Sequence, residues 1–224
     1  MDGVRRRGRP RLPRPSAPLD PAADEARAAA DDAAVIARVL AGERDAFAVL
    51  VARHARRAHD LARRMLRDPH EAEDAVQQTF LNAYRALPRF DPRRPFRHWL
   101  LRIASNLCRN RLAERRRRPL AVGTAGDEEN VLDPEAPPLE PASGEPSLDP
   151  ARVRAAIDAL APAYRLVVVL RYVHDLPLEA IAEVTEQPLG TVKTHLFRAR
   201  AALADLLSPG GASDETRARR PGTP

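Results

Sequence analysis

Residues 71–87 read EAEDAVQQTFLNAYRAL, and this stretch decides the fold class. Its apolar and small residues recur at the i, i+3, i+4 spacing of one face of an α-helix. Few segments of the chain alternate with the period of two that a half-buried strand requires. Aromatic residues make up only 4% of the chain, and no β-branched run is longer than residues 167–169. The sequence therefore predicts an all-α protein.

The helical pattern extends on both sides of this stretch and defines a first folded block, residues 33–118. Upstream, apolar residues from Phe47 to Met65 have helical spacing, and the pair Asp68-Pro69 predicts the end of that helix. Downstream, a loop rich in proline and arginine precedes a long helix that begins near Phe96. Residues 1–32 are rich in Arg and Pro and then in Ala and Asp, which predicts a disordered extension.

An acidic, proline-rich segment separates this block from a second one. Residues 127–149 hold eight acidic residues and five prolines, and residues 119–149 contain no Lys or Arg. Such a composition cannot bury a core, so we expect a flexible linker over residues 119–149. The fold prediction is thus two small helical domains joined by this linker.

The second block, residues 150–207, ends in two helices joined by a brief turn. The predicted helices span residues 178–184 and 191–207, and this arrangement is the helix-turn-helix pattern. Many repressors and response regulators share it, so the pattern by itself is moderately specific. Residues 208–224 predict a disordered tail.

The long helix of the first block carries concentrated positive charge. Residues 93–118 contain ten arginines and one acidic residue, Glu114. A solvated face ordinarily mixes both signs, so this ratio favours a surface that binds nucleic-acid phosphates. Phe90, Phe96 and Trp99 lie beside it, and aromatic rings can hold unstacked bases. A core position explains Trp99 equally well.

Two further faces point to binding. In the 71–87 helix, Asp74, Gln77, Gln78 and Leu81 share the stripe opposite the apolar one. Chemistry alone favours a solvated face there, but two glutamines and a leucine are unusual on such a face and hint at a partner. In the last helix, the face outside the small helix-turn-helix core would meet base edges in the major groove. Its residues are Lys193, Thr194, His195, Arg198 and Arg200.

Composition excludes several function classes. The net charge of +6 and pI of about 10.5 favour a polyanionic partner, but Lys193 is the only lysine of an arginine-rich chain, so raw basicity is a weak argument. Cys108 is the only cysteine, which excludes an internal disulfide, and we expect it to be buried. No apolar run approaches the roughly 20 residues of a membrane span, and no secretory signal is recognisable, so we expect a cytoplasmic protein.

Catalysis is not expected. The sequence shows no nucleophile–base pair, no metal-binding cluster and no glycine-rich phosphate loop. We therefore expect no enzymatic activity, no cofactor, no metal and no small-molecule substrate.

Three runs of residues, in this order, resemble motifs of the sigma-70 family of transcription initiation factors. Residues 72–80 (AEDAVQQTF) resemble the core-binding helix of region 2, and residues 99–106 (WLLRIASN) resemble the −10 recognition helix. Residues 190–200 (GTVKTHLFRAR) resemble region 4. Regions 2 and 4 with only a short linker between them are the layout of the extracytoplasmic-function (ECF) group.

The resemblance implies a function and a set of partners. The protein would bind core RNA polymerase and direct promoter-specific initiation through −35 and −10 recognition and strand opening. It would contact the coiled coil of the largest polymerase subunit and the flap, be a monomer when free, and have an anti-sigma factor as a further partner. The residues implied for polymerase binding are Asp74, Gln77, Gln78 and Leu81.

The resemblance also divides the DNA contacts between the two blocks. A loop over residues 87–95 would capture a flipped base of the −10 element, and the helix that follows would hold the melted strand. The implied −10 residues are Phe90, Arg93, Arg94, Arg97, Trp99, Arg102, Asn106 and Arg109. The implied −35 residues are Thr191, Lys193, Thr194, His195 and Arg198.

The sequence departs from the family pattern at three places. Gln78 stands where glutamate is common, and Asn110 stands between two arginines where an acid is common. The larger departure is 185–187 (TEQ), where the family usually has a glycine between two apolar residues. Glycine suits a left-handed turn, and another residue there costs roughly 1 kcal/mol, so we expect a slightly looser turn.

Two other readings remain open from the residues. A stand-alone helix-turn-helix regulator would bind duplex DNA without polymerase, usually as a dimer on a palindromic site. An RNA-binding adaptor would use the arginine-rich helix and show no promoter preference.

Overall fold

A computed structural model describes residues 21–117 and 149–208, with side chains described from residue 27. Every regular element in these ranges is helical, as predicted. Two short 3-10 helices, Arg44–Ala46 and Leu87–Arg89, join α-helices of the first domain. The α-helices are α1 (Pro21–Leu40), α2 (Phe47–Leu66), α3 (Pro69–Ala86), α4 (Phe96–Arg117), α5 (Pro150–Ala159), α6 (Pro162–Tyr172), α7 (Leu178–Thr185) and α8 (Leu189–Leu207).

The boundary between α2 and α3 follows from local chemistry. Arg67 ends α2 in the left-handed conformation, with φ of 64°. Asp68 then caps α3, because its side chain accepts a 2.9 Å hydrogen bond from the Glu71 N–H. Pro69 occupies the first turn, where its missing N–H costs nothing.

Helices α2, α3 and α4 form the bundle of the first domain, and α1 packs against it. Leu50, Leu61 and Met65 of α2 are fully buried, and Phe96 and Leu100 of α4 are nearly so. Burial of these side chains supplies the main driving force for the domain.

Helix α1 corrects the prediction that residues 1–32 are disordered, because residues 21–32 are helical. Asp32 is buried and lies 2.7 Å from Nε2 of His54, and it accepts a 3.1 Å hydrogen bond from Arg53. Burial alone would raise the pKa of Asp32, but the bonds to His54 and Arg53 lower it below its ordinary value. A buried carboxylate with two partners anchors α1 to α2. Residues 1–20 lie outside the described residues.

The second domain is built around α6, which is buried from Arg165 to Leu170. Helices α7 and α8 form the helix-turn-helix, with Ile181, Val184 and Val192 buried between them. The turn residue Glu186 has φ of 59° and ψ of 36°, so the left-handed position expected from the sequence is present. The predicted linker over 119–149 and tail over 208–224 lie outside the described residues, apart from their end positions 149 and 208.

The two domains pack directly on each other, a contact that the sequence did not predict. Helix α7 lies against α4, and α6 lies against α2. One cluster of buried apolar residues runs from Leu61 and Met65 of α2 to Leu166 of α6 and Ile181 of α7. Cys108 belongs to this cluster and is fully buried as expected, and its burial raises the pKa of the thiol to about 12.

None of the helices within residues 21–117 and 149–208 is both long enough and apolar enough to cross a bilayer.

Candidate nucleic-acid and polymerase interface

The face of α4 that was predicted to hold a DNA strand is a continuous polar surface. Arg102, Asn106 and Arg109 are spaced i, i+4, i+7, so they share one side of the helix, and all three are partly exposed. The amide oxygen of Asn106 accepts a hydrogen bond from the Arg109 guanidinium. This contact orients both side chains along the same face.

A residue of the second domain occupies that face. The carboxylate of Glu186 lies 2.7 Å from the guanidinium of Arg102 and accepts a 3.1 Å hydrogen bond from the Asn106 amide. Two predicted −10 residues are therefore paired within the molecule.

The loop before α4 divides its predicted residues between core and solvent. Phe90 is buried, with its ring centroid 5.7 Å from that of Phe96 and 4.9 Å from that of Trp99. The ring of Phe90 thus supports the loop from inside. This position differs from the predicted one, in which Phe90 contacts DNA. Trp99 is partly exposed at the edge of the same aromatic cluster.

The arginines of this loop are presented outward. Arg93 and Arg94 are exposed, whereas Arg97 is partly buried. Asp91 accepts hydrogen bonds from the Arg93 N–H at 3.0 Å and from its side chain at 3.2 Å, and these contacts lower the pKa of Asp91. The bonds shape the loop so that its cationic groups face solvent.

The C-terminal arginines of α4 correct the prediction of one uniform phosphate-binding face. Arg111 donates a 2.6 Å hydrogen bond to the main-chain carbonyl of Glu71. Arg115 donates to the carbonyl of Leu66 at 3.3 Å and forms an ion pair with the Glu71 carboxylate. These two guanidinium groups fasten α4 to the α2–α3 corner, so part of the arginine run is structural.

The α3 stripe is exposed. Asp74 and Gln77 face solvent, and 51% of Leu81 is exposed. Gln78 is partly buried and donates a 2.8 Å hydrogen bond to Asn82 one turn later. Tyr84, three residues after Leu81, is 38% exposed and extends the stripe.

The candidate −35 residues of α8 are unequally available. Lys193 is exposed, and Thr191, Thr194 and Arg198 are partly exposed. His195 was predicted to lie on the exposed face, but its ring packs 5.4 Å from that of Tyr164 and its Nδ1 is buried without a partner among the described residues. Burial, with Arg198 nearby, lowers the pKa of His195, which favours a neutral ring.

Comparison with known proteins assigns both domains. Residues 50–118 match the family model described as sigma-70 region 2, and residues 151–203 match sigma-70, region 4. The ECF RNA polymerase sigma factor SigW of Bacillus subtilis (strain 168) is 37% identical over 178 residues, covering 77% of this chain and 94% of the relative. The chain belongs to the ECF group of the sigma-70 family.

Solved structures agree with this membership. The structure of CnrH in complex with the cytosolic domain of CnrY has a TM-score of 0.56 and 30% identity, covering 79% of this sigma factor and 96% of that chain. The sigma factor RpoE in complex with the anti-sigma factor NepR from Bartonella quintana shows the same fold at a TM-score of 0.55 and 21% identity, covering 72% and 96%.

The family match assigns each surface of this sigma factor to one of the two regions. The α3 stripe and the α4 face belong to region 2, and α7–α8 form the helix-turn-helix of region 4. Sequence reasoning missed Tyr84 and Glu186 as surface participants. The only available signal for Glu186 was the unusual acid at a position where a glycine is expected.

Proposed function

We propose that this sigma factor binds core RNA polymerase through the exposed stripe of α3, holds the melted −10 strand on α4, and reads the −35 duplex with α8. The observation that carries the proposal is that one chain presents three chemically distinct surfaces in the family order. A stand-alone regulator would need only the last of them.

The α3 stripe fits a protein partner better than it fits solvent alone. Leu81 and Tyr84 expose apolar area next to Asp74 and Gln77, and a mixed apolar and polar patch of this kind is typical of protein interfaces. We assign the coiled coil of the largest polymerase subunit as the binding partner of this stripe. Region 4 would reach the flap.

The α4 surface fits a single strand. The guanidinium groups of Arg93, Arg94 and Arg102 can track phosphates, while the partly exposed ring of Trp99 can stack on an unstacked base. Arg97 and Arg109 extend the positive field along the helix. Strand opening must offset about 1.4 kcal/mol of stacking per base step, and preferential binding of the open strand supplies that free energy.

The α8 surface fits a major groove. Lys193, Thr194 and Arg198 lie in the N-terminal half of the second helix of the helix-turn-helix, where base edges are met. Lys and Arg can donate to guanine, and Thr191 can contact a phosphate at the helix N-terminus. The polymerase performs the bond chemistry in the cytoplasm, and the sigma factor supplies specificity without catalysis.

We also propose a partner that controls availability. The CnrH structure was solved with the cytosolic domain of CnrY, and CnrH is 30% identical to this chain. An anti-sigma factor that binds across both domains would prevent this sigma factor from binding core polymerase.

Run-off transcription tests the proposal. Purified core polymerase is combined with a promoter library, with and without this protein, and transcript starts are mapped. Specific starts that require the protein would support it and define the −35 and −10 sequences. Duplex binding without polymerase, combined with no starts and no binding to core, would replace it with the stand-alone regulator.

A further inference from the structure

The turn of the helix-turn-helix places an acid where backbone conformation favours glycine. Glu186 has φ of 59° and ψ of 36°, which disfavours residues with a Cβ atom. The turn is fixed on both sides, because Thr185 Oγ1 donates to the Ile181 carbonyl at 2.7 Å and the Gln187 N–H donates to the Ala182 carbonyl at 3.1 Å. The Glu186 carboxylate is therefore carried on an ordered turn.

That carboxylate makes two contacts with the other domain. One oxygen lies 2.7 Å from the Arg102 guanidinium, and the other accepts the 3.1 Å hydrogen bond from Asn106. A guanidinium and an amide N–H are also the donors that a phosphate or a base acceptor of DNA would use. The carboxylate thus occupies donors with the chemistry of a nucleic-acid site.

The contact belongs to a larger interface. Helix α7 packs along α4, and the buried Arg165 of α6 donates to the main-chain carbonyl of Met65 at 3.2 Å. The two domains also share one cluster of buried apolar residues. The domains therefore have a defined closed arrangement in which Glu186 is set against α4.

We propose that Glu186 is an intramolecular competitor for the strand-binding face of α4, so that the closed protein withholds Arg102 and Asn106 from DNA until the domains separate. The inference rests on the proposed assignment of α4 to the −10 strand. A partner that binds only the separated domains releases the face by its differential affinity for that state.

The size of the effect follows from exposure. The side chains of Arg102 and Glu186 are 43% and 45% exposed, so solvent screens their attraction. Exposed ion pairs of this kind shift an equilibrium by about two- to fivefold. Loss of the carboxylate should raise the open fraction, and the apparent strand affinity, by a similar factor as long as the closed form predominates.

The test compares Glu186→Gln and Glu186→Gly with the wild-type full chain. Glutamine removes the charge and keeps the side-chain length, whereas glycine removes the carboxylate and relieves the left-handed turn. Glu183→Gln is the matched control, because Glu183 is exposed on α7 three residues before Glu186 and carries the same charge. Thermal melting followed by circular dichroism verifies that each variant folds.

Two readouts separate closure from DNA binding. Energy transfer between dyes on Ala48→Cys and Ala201→Cys, both at exposed positions, reports the distance between domains. All proteins in this test carry Cys108→Ala, because Cys108 belongs to the cluster shared by the two domains and opening would expose its thiol to the dye. Anisotropy of a labelled random-sequence single strand of about 15 nucleotides reports access to α4. Both Glu186 variants should lower transfer and tighten strand binding about two- to fivefold, and Glu183→Gln should change neither.

Three results would overturn the inference. If Glu186→Gln keeps wild-type transfer and affinity, the carboxylate does not hold the domains. If only Glu186→Gly changes them, backbone strain and not charge is responsible. If the domains open but strand affinity stays the same, α4 is not the strand-binding face. The −10 assignment and the competitor role then both fail. Run-off transcription still tests the sigma factor role independently.

Discussion

Arg165 and Met65 link the two domains of this sigma factor across a hundred residues of sequence: the Arg165 guanidinium donates a 3.2 Å hydrogen bond to the main-chain carbonyl of Met65, near the end of α2. The same guanidinium donates to the carbonyls of Asp158 at 2.9 Å and Leu160 at 2.8 Å. Burial lowers the pKa of Arg165 to about 10, so the group remains a cation at neutral pH. One buried cation therefore serves three carbonyl groups in two domains.

Replacing Arg165 with methionine should destabilise the protein. Methionine keeps the apolar stem and removes every donor, which leaves buried carbonyl groups without their partner. The expected loss is about 1–3 kcal/mol of unfolding free energy, measured by urea denaturation. Arg154→Met, at an exposed position of α5, is the control and should have no effect. An unchanged midpoint for Arg165→Met would mean that the carbonyl groups find other donors.

Stability should fall as the pH drops from 7.5 to 5 because of His174. This ring is buried, and burial lowers its pKa from 6.5 to about 4, with Asp60, Arg57 and Arg64 of α2 and Arg97 of α4 as the charged neighbours. Between those pH values the unfolded chain binds a proton that the folded chain excludes, so acid favours unfolding. The expected loss at pH 5 is about 2 kcal/mol.

His174→Phe tests this assignment, because phenylalanine fills the same site and cannot titrate. Urea midpoints are measured for both proteins across the pH range. The variant should lose about 2 kcal/mol less than the wild type between pH 7.5 and 5. Parallel pH profiles would show that other groups control acid stability.

Removing the exposed stripe of α3 should weaken polymerase binding and leave the fold intact. Asp74→Ala combined with Leu81→Ala deletes one charge and the most exposed apolar side chain of the stripe. A loss of about tenfold in affinity for core polymerase is expected in a pull-down or anisotropy titration. Glu73→Ala, exposed on the same helix, serves as the control. Equal binding by both variants would place the polymerase contact elsewhere.

Charge removal on α8 should reduce the salt dependence of duplex binding. Each phosphate contact contributes about 0.9 to the slope of log affinity against log salt. Lys193→Ala and Arg198→Ala should each lower that slope by about one on a promoter found by transcription. Arg63→Ala, at an exposed position of α2, should leave it unchanged. A wild-type slope in both α8 variants would argue against groove or phosphate contact there.

Local sequence patterns predicted the helices and their ends well. The last two helices were expected over 178–184 and 191–207 and span Leu178–Thr185 and Leu189–Leu207, and the pair Asp68-Pro69 separates α2 from α3. The left-handed turn at Glu186 also followed from sequence, because its position in the motif demands it. These features depend on residues within a few positions of each other.

Features that depend on distant partners could not be predicted. Asp32 looks like part of a polar tail until His54, 22 residues later, is known to lie beside it. Arg115 looks like a phosphate ligand until Glu71 is known to pair with it. The packing of region 4 on region 2 is of the same kind, since neither helix pattern specifies its counterpart in the other domain.

The position of Glu186 has a consequence for how such a protein can diverge. Residue 186 lies in the turn between α7 and α8, and its side chain contacts Arg102 and Asn106. It is not among the residues assigned to reading DNA bases. On the proposed role, substitutions there retune the background level of expression without altering which genes respond. The background level of expression and the choice of target genes can then evolve independently.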